Sequence, residues 1–94
     1  MAWRVFELME NERAVYIGMT RHDLDATLRM LNRRGYRYDS LLAVQPSAWL
    51  GYESAVRAVL ERLHTHATRG AWPRYNNRET YERYAHDYGL HPWL

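Results

Sequence analysis

Two runs of strand-forming residues near the N-terminal end constrain the fold of this chain more than any other feature. Residues 3–9 read Trp-Arg-Val-Phe-Glu-Leu-Met, and a second run, Ala-Val-Tyr-Ile, covers residues 14–17. Asn11, flanked by two glutamates, separates the runs and favours a polar turn. The pattern predicts a β-hairpin that ends at Gly18. Since an isolated hairpin is at best marginally stable in water, the rest of the chain must cover it.

Two further elements are predicted between Thr20 and Pro46. Asp23 and Asp25 are typical of a helix N-terminus, and leucines at positions 24, 28 and 31 form an apolar stripe. A first helix is therefore expected to end at Gly35. Residues 41–44, Leu-Leu-Ala-Val, are a short continuous apolar run that Pro46 ends. Such a run favours a third strand that is buried on both faces.

The second half of the chain carries two helical patterns. From about Tyr52 to Thr68, apolar residues recur at helical spacing, namely Ala55, Val56, Val59, Leu60 and Leu63. Gly70 and Pro73 bound an irregular loop. Asn76 followed by Glu79 resembles a capping box. A last helix is then expected to carry Tyr81, Tyr84, Ala85 and Tyr88 on one face until Gly89.

The predicted elements follow the order ββαβαα, which indicates an α/β (α+β) fold with a small three-stranded sheet, mixed or antiparallel, and flanking helices. The 94 residues allow a single domain over 1–94, with a core over about 3–77 and a C-terminal helix over about 77–89. The absence of cysteine excludes a disulfide scaffold and a thiol nucleophile. No apolar run has the length of a signal sequence or a membrane span, so we expect a cytoplasmic protein without membrane contact.

Arginine supplies all 13 basic side chains, and their positions suggest a surface for an anionic partner. Two segments, 29–37 and 62–78, contain four arginines each, aromatic residues and no acidic residue. Guanidinium groups bind phosphate in a bidentate manner and stack on aromatic rings. We therefore expect nucleic acid, DNA above all, to contact Arg29, Arg33, Arg34, Arg37 and Arg74. The codon usage of a GC-rich genome is the alternative explanation for a chain with arginine and no lysine.

Three short motifs occur in the order, and on the elements, of a known family. Residues 15–20, Val-Tyr-Ile-Gly-Met-Thr, lie on the second strand of the hairpin and precede a helix that opens Asp-Leu-Asp-Ala. Leu60-Glu61 lies on the second long helix, and residues 73–76 read Pro-Arg-Tyr-Asn. Together these segments resemble the GIY-YIG nuclease superfamily, and in pattern most closely the catalytic domain of the excision-repair nuclease.

This resemblance implies hydrolysis of a nucleic-acid phosphodiester with one divalent ion, Mg²⁺ or Mn²⁺. It implies that Glu61 is the metal ligand, that Tyr16 transfers a proton or orients the phosphate, and that Asn76 is the asparagine that closes the site. A single carboxylate suits Mg²⁺, which prefers oxygen ligands and keeps most of its waters.

Two positions of the family signature carry other residues in this chain. Phe6 stands where the family has its first tyrosine, and Thr27 stands where it has the arginine of the first helix. Arg29 and Arg34 are the candidate replacements for this catalytic arginine. Two positions along a helix rotate Arg29 by about 200°, whereas Arg34 returns to nearly the same face about 10 Å further along the axis.

Each candidate residue also has a purely structural interpretation. Tyr16 fits a core aromatic residue, Glu61 fits a surface ion pair with Arg57, and Asn76 fits a helix N-cap. His64 and His66 are expected to be solvated. Two functions therefore stay open. One is a metal-dependent nuclease, and the other is a catalytically inactive module that binds nucleic acid or a protein partner, such as a phage or mobile-element regulator.

Overall fold

The structure, a computed structural model, describes residues 2–44 and 50–89 and contains three strands and three helices. They are β1 (Arg4–Glu10), β2 (Arg13–Thr20), α1 (Leu24–Arg33), β3 (Ser40–Val44), α2 (Tyr52–Thr68) and α3 (Arg78–Asp87). The sheet has the order β2-β1-β3, and both pairings are antiparallel. The predicted order ββαβαα and the three-stranded sheet are confirmed.

The central strand β1 separates two apolar clusters because its side chains alternate between the faces of the sheet. Phe6 and Leu8 point to the side of α1, where Leu31 packs against them. Val5 points to the opposite side, where residues of β2, α2 and α3 form a second cluster, among them Ile17, Ala55, Leu60, Leu63, Tyr81 and Ala85. Helices therefore cover both faces of the sheet.

The third strand is an edge strand that pairs with β1 alone. Leu42 is 48% exposed, so the prediction of a third strand buried on both faces is wrong. A short apolar run does not distinguish a central strand from an edge strand, and here the hairpin strand β1 takes the central place. Pro46, the expected end of this strand, lies outside the described residues.

Local sequence signals set the ends of the helices. Asp23 caps α1 by accepting a hydrogen bond from the backbone N–H of Ala26 at 2.8 Å. Gly35 follows this helix with a φ of +83°, a conformation that glycine adopts at no steric cost. The second helix spans the predicted residues 52–68. None of the helices in the described part of the chain is long and apolar enough to cross a bilayer.

An irregularity in the hairpin turns two consecutive side chains of β2 toward one cluster. Leu8 pairs with Tyr16 and Met9 pairs with Ala14, so Val15 has no residue opposite it. Val15 and Tyr16 both pack against the cluster on the α1 side. The strict alternation of a regular strand would send them to opposite faces, whereas a β-bulge re-aims a side chain in this way. The bulge therefore brings Val15 to the face on which Tyr16 already lies opposite Leu8.

Two consecutive asparagines before α3 have different roles. Asn77 is the N-cap, because its side chain accepts a hydrogen bond from the Thr80 N–H at 2.8 Å. The side chain of Asn76 accepts from the Ile17 N–H at 2.8 Å and donates to the Ile17 carbonyl at 2.9 Å. The N-cap of α3 is thus one residue later than predicted, and the predicted pair of Asn76 and Glu79 does not form a capping box. Asn76 is bound to the free edge of β2 instead.

Replacing Asn76 by alanine is expected to lower the free energy of unfolding by about 2 kcal/mol, because both backbone groups of Ile17 lose their partner. Urea denaturation followed by circular dichroism measures this change. Asn32→Ala, at an exposed asparagine of α1, is the matched control and is expected to change stability by less than about 0.5 kcal/mol. Equal losses in the two variants would contradict the role assigned to Asn76.

Candidate functional site

Three tyrosines from separate parts of the chain form one aromatic group, which we call the tyrosine cluster. Tyr16 comes from β2, Tyr36 from the segment after α1, and Tyr75 from the loop before α3. The rings of Tyr36 and Tyr75 are stacked with centroids 4.4 Å apart and an interplanar angle of 4°. Tyr16 meets Tyr36 edge-on with centroids 5.1 Å apart. The cluster therefore joins elements that are distant in sequence.

The Tyr75 ring is fixed by its hydroxyl and by a neighbouring guanidinium. Its hydroxyl accepts hydrogen bonds from the Arg37 backbone N–H at 2.9 Å and from Arg74 Nη2 at 3.2 Å. The bond from Arg37 is the main reason why the pKa of Tyr75 is lower than usual, and Arg74 lowers it further. Arg74 also lies over the Tyr75 ring and forms a 2.7 Å ion pair with Glu10. Arg74 thus ties the loop to β1.

The Tyr16 hydroxyl differs from that of Tyr75 in its hydrogen bonding. The residue is half-buried, and its hydroxyl has no hydrogen-bond partner within residues 2–44 and 50–89. Burial raises the pKa of Tyr16 and nearby Tyr36 adds to the rise, while the positive charge of Arg34 opposes it. Tyr16 therefore remains a protonated hydrogen-bond donor at neutral pH, and its donor is available to a ligand.

Gly18 provides the space that the Tyr16 ring occupies. A Cβ atom at position 18 would lie 2.5 Å from the Tyr16 ring and 2.9 Å from the Phe6 ring. Both distances are shorter than a carbon–carbon contact of about 3.5 Å. Any larger residue at this position would displace the tyrosine.

A cavity of about 340 Å³ lies beside the tyrosine cluster. The three tyrosines of the cluster and Asn76 line it together with residues from α2 and α3. Two residues singled out by the family resemblance, Tyr16 and Asn76, are therefore brought together at one concave surface. Its walls combine apolar side chains with a few polar groups, as is common for ligand sites.

Glu61 does not line this cavity, although its neighbours Leu60 and Leu63 do. It is rotated by about 100° from Leu60 on the helix, and its side chain is 56% exposed. Its carboxylate lies 3.7 Å from the Arg57 guanidinium, as the ion-pair interpretation expects. Within the described residues, no three His, Asp or Glu side chains lie close enough together to hold a metal ion. The carboxylate of Glu61 therefore lies apart from the cavity that Tyr16 and Asn76 share.

The residues at the two altered signature positions are both part of the core. Phe6 packs in the α1-side cluster. Thr27 is buried, its hydroxyl lies 2.9 Å from that of Thr20, and it donates to the Asp23 carbonyl at 3.0 Å. Of the candidate replacements for the missing arginine, Arg34 is exposed at the C-cap of α1, and its positive charge opposes the rise in the pKa of Tyr16. Arg29 is exposed on the outer face of α1.

The two arginine-rich segments differ in what their side chains contact. In the segment 62–78, three of the four arginines form ion pairs, Arg62 with Glu7, Arg74 with Glu10 and Arg78 with Glu82. In the segment 29–37, all four arginines are exposed, and none has a carboxylate partner in the part of the chain that the structure describes. All four arginines of the segment 29–37 are therefore available to an external anion, whereas in the segment 62–78 this holds for Arg69.

A buried charged group on the other face of the sheet was not expected from the sequence. Glu7 on β1 is 4% exposed, and its Oε1 atom lies 3.0 Å from Arg62 Nε and 3.3 Å from His66 Nε2. Burial alone would raise the pKa of Glu7, but the hydrogen bonds and charges of Arg62 and His66 together hold it below the ordinary value. The group therefore joins α2 to the central strand.

The prediction that His64 and His66 are solvated is wrong. His66 contacts Glu7, and His64 Nδ1 lies 3.0 Å from the Tyr81 hydroxyl. The signal that was missed is the acid in Val5-Phe6-Glu7-Leu8, because a charged residue between apolar neighbours on a central strand requires a partner on the covering helix.

No family model, no curated protein and no solved structure matches this chain. Membership of the GIY-YIG superfamily therefore stays a prediction from the three sequence motifs.

Glu7→Gln is expected to lower the free energy of unfolding at pH 7 by about 2–3 kcal/mol, because Arg62 loses a buried counter-charge. The stabilisation by ionised Glu7 is present above the ordinary glutamate pKa of 4.5 and is lost as the pH falls through its lower folded-state value. The difference between wild type and variant should therefore shrink below about pH 4.5.

Urea denaturation between pH 3 and pH 8 measures this dependence. The control is Glu61→Gln, which removes an exposed ion pair and is expected to change stability by less than about 0.5 kcal/mol throughout. If the stability difference caused by Glu7→Gln were the same at every pH, the ion-pair role of Glu7 would be refuted.

Proposed function

We propose that this chain binds the phosphate backbone of a nucleic acid at the tyrosine cluster and the adjoining arginines. The Tyr16 hydroxyl carries the proposal, because it is a half-buried donor without a partner in the described residues and it faces a cavity. A phenol with a raised pKa stays protonated, and a phosphate oxygen is a strong acceptor for it. The charge of Arg34 acts at the same place and attracts an anion.

The segment 29–37 adds exposed arginines on α1 and just after it. Arg29 and Arg33 are exposed one helical turn apart, and like charges at this spacing destabilise a helix by a few tenths of a kcal/mol. A bound phosphate would neutralise this repulsion and make the pair favourable. Nucleic acid, with regularly spaced phosphates, is therefore the partner that this surface favours over a protein.

Of the two functions that the sequence leaves open, the binding module is the one that the geometry supports better. Phe6 and Thr27 are core residues, and Glu61 does not share the cavity with Tyr16. The groups proposed to hold a phosphate, the Tyr16 hydroxyl and Arg34, act at one place. Glu61, the candidate ligand of a divalent ion, lies on another face of α2.

Two variants test the proposed contacts. Tyr16→Phe is expected to weaken binding about tenfold, the value of one hydrogen bond to a charged group. Changing Arg33 and Arg34 to alanine is expected to flatten the slope of log K against log salt by about 0.9 for each lost phosphate contact on duplex DNA. Fluorescence anisotropy with labelled DNA and RNA over a series of salt concentrations measures both effects.

Arg83→Ala is the matched control, since Arg83 is exposed on α3 and does not line the cavity. It is expected to leave the affinity and the salt slope unchanged. A wild-type protein that binds neither DNA nor RNA at low salt would refute the proposal and redirect the search to a protein partner.

The metal-dependent nuclease is the second candidate, and the observation in its favour is that Tyr16 and Asn76 line one cavity. We expect wild type and Glu61→Gln to bind DNA equally well and neither to cleave it. Plasmid nicking assays with Mg²⁺ and Mn²⁺ test this expectation. Metal-dependent nicking by wild type and by Arg57→Gln, but not by Glu61→Gln, would establish the nuclease with Glu61 as its metal ligand.

A further inference from the structure

We propose that the cavity beside the tyrosine cluster holds one unpaired nucleobase, so that the ligand of this protein is a single-stranded nucleic acid. This inference rests on the proposed binding of a nucleic-acid backbone and names the ligand class. The cavity walls that lie away from Tyr16 are formed by α2 and α3.

Tyr84 supplies an aromatic face that no other ring of residues 2–44 and 50–89 covers. It lies on α3, lines the cavity and is 47% exposed. The other tyrosines of the cavity are engaged, because Tyr36 and Tyr75 stack on each other and buried Tyr81 packs against Trp72. Within residues 2–44 and 50–89, Tyr84 has no aromatic or cationic partner. A nucleobase is a flat ring that stacks on such a face.

The remaining walls of the cavity suit the second face and the hydrogen-bonding edge of a nucleobase. Val56 and Val59, both half-buried on α2, provide apolar surface for the second ring face. Asn77 and Thr80 provide polar groups for the base edge. The Asn77 Oδ1 atom accepts the capping hydrogen bond from the Thr80 N–H, which leaves the Asn77 amide N–H₂ and the Thr80 hydroxyl without partners among the described residues.

The shape of the site decides between a paired and an unpaired base. The cavity is concave, measures about 340 Å³ and lies between two helices. A base within a duplex is covered by its neighbours on both faces, and its hydrogen-bonding edge is occupied by its partner. A base can enter such a pocket only after it has left the stack, which costs a few kcal/mol in a duplex and much less in a single strand. Tyr16 and Arg34 would then hold the adjoining phosphate.

Three DNA probes of equal length test this inference by fluorescence anisotropy at one low salt concentration. They are a single-stranded 12-mer, its duplex, and a 12-mer with abasic sites in place of the bases. We expect the intact single strand to bind at least tenfold more tightly than either of the others. Tyr84→Ala should weaken binding of the intact strand about 5- to 100-fold, the range for loss of one stacked base, and leave binding of the abasic strand unchanged.

Tyr84→Phe keeps the ring and is expected to retain the wild-type affinity. Tyr52→Ala removes a tyrosine that is 59% exposed but does not line the cavity, and it should also have no effect. Tyr84→Leu, which keeps apolar volume without a π-face, replaces Tyr84→Ala if circular dichroism shows that the alanine variant is unfolded.

Equal binding of the intact and abasic strands, or an equal loss for both in Tyr84→Ala, would overturn the base site and leave the backbone proposal standing. Absence of binding to all three probes and to their RNA counterparts would overturn both.

Discussion

Two hydrogen bonds between the Asn76 amide and the Ile17 backbone attach the loop before α3 to the edge of β2. The neighbouring residues are placed by this attachment. Tyr75 donates its backbone N–H to the Val15 carbonyl at 2.9 Å and thereby presents its ring to Tyr36. On the other side Trp72 Nε1 donates to the Asn76 carbonyl at 2.9 Å. The tyrosine cluster and the start of α3 therefore depend on one side-chain amide.

Some arginines form ion pairs with acidic residues of the strand β1, whereas those of the segment 29–37 form none within the described residues. Glu7 and Glu10 both lie on β1, and each is bound by an arginine from the second half of the chain. These ion pairs join α2 and the loop before α3 to the sheet. The arginines of α1 and the segment after it form no ion pair with a described acid and are exposed. Their charge is therefore not neutralised within the described residues.

Much of the fold followed from local pattern, because the helical spacing over 52–68 and the polar turn at Asn11 are strong, short-range signals. The sequence did not predict that Asn77 caps α3 while Asn76 binds β2. Both asparagines suit an N-cap, and only the position of β2 distinguishes them. The exposed third strand was missed for a similar reason. Its apolar run has the same appearance at the centre and at the edge of a sheet.

The candidate site was predicted in part. Tyr16 and Asn76, which the motifs singled out, line one cavity, whereas Glu61 lies on another face of its helix. The rotation of α2 against the sheet decides this, and it is set by packing of Leu60 and Leu63 rather than by the motif. The group of Glu7, Arg62 and His66 depends on a contact between residues 55 or more positions apart. No spacing rule applies at that distance.

The amide of Asn76 also determines where the sheet stops. An exposed edge strand offers unpaired N–H and C=O groups to which another chain can add a strand, and this is a common route to aggregation. At Ile17 of β2 these two groups are already bound by a side chain that carries the same donor and acceptor as a peptide unit. A peptide partner would expose a new edge of its own, but a side-chain amide does not. Growth of the sheet on that side is blocked by the Asn76 amide at Ile17 and by the Tyr75 N–H at Val15.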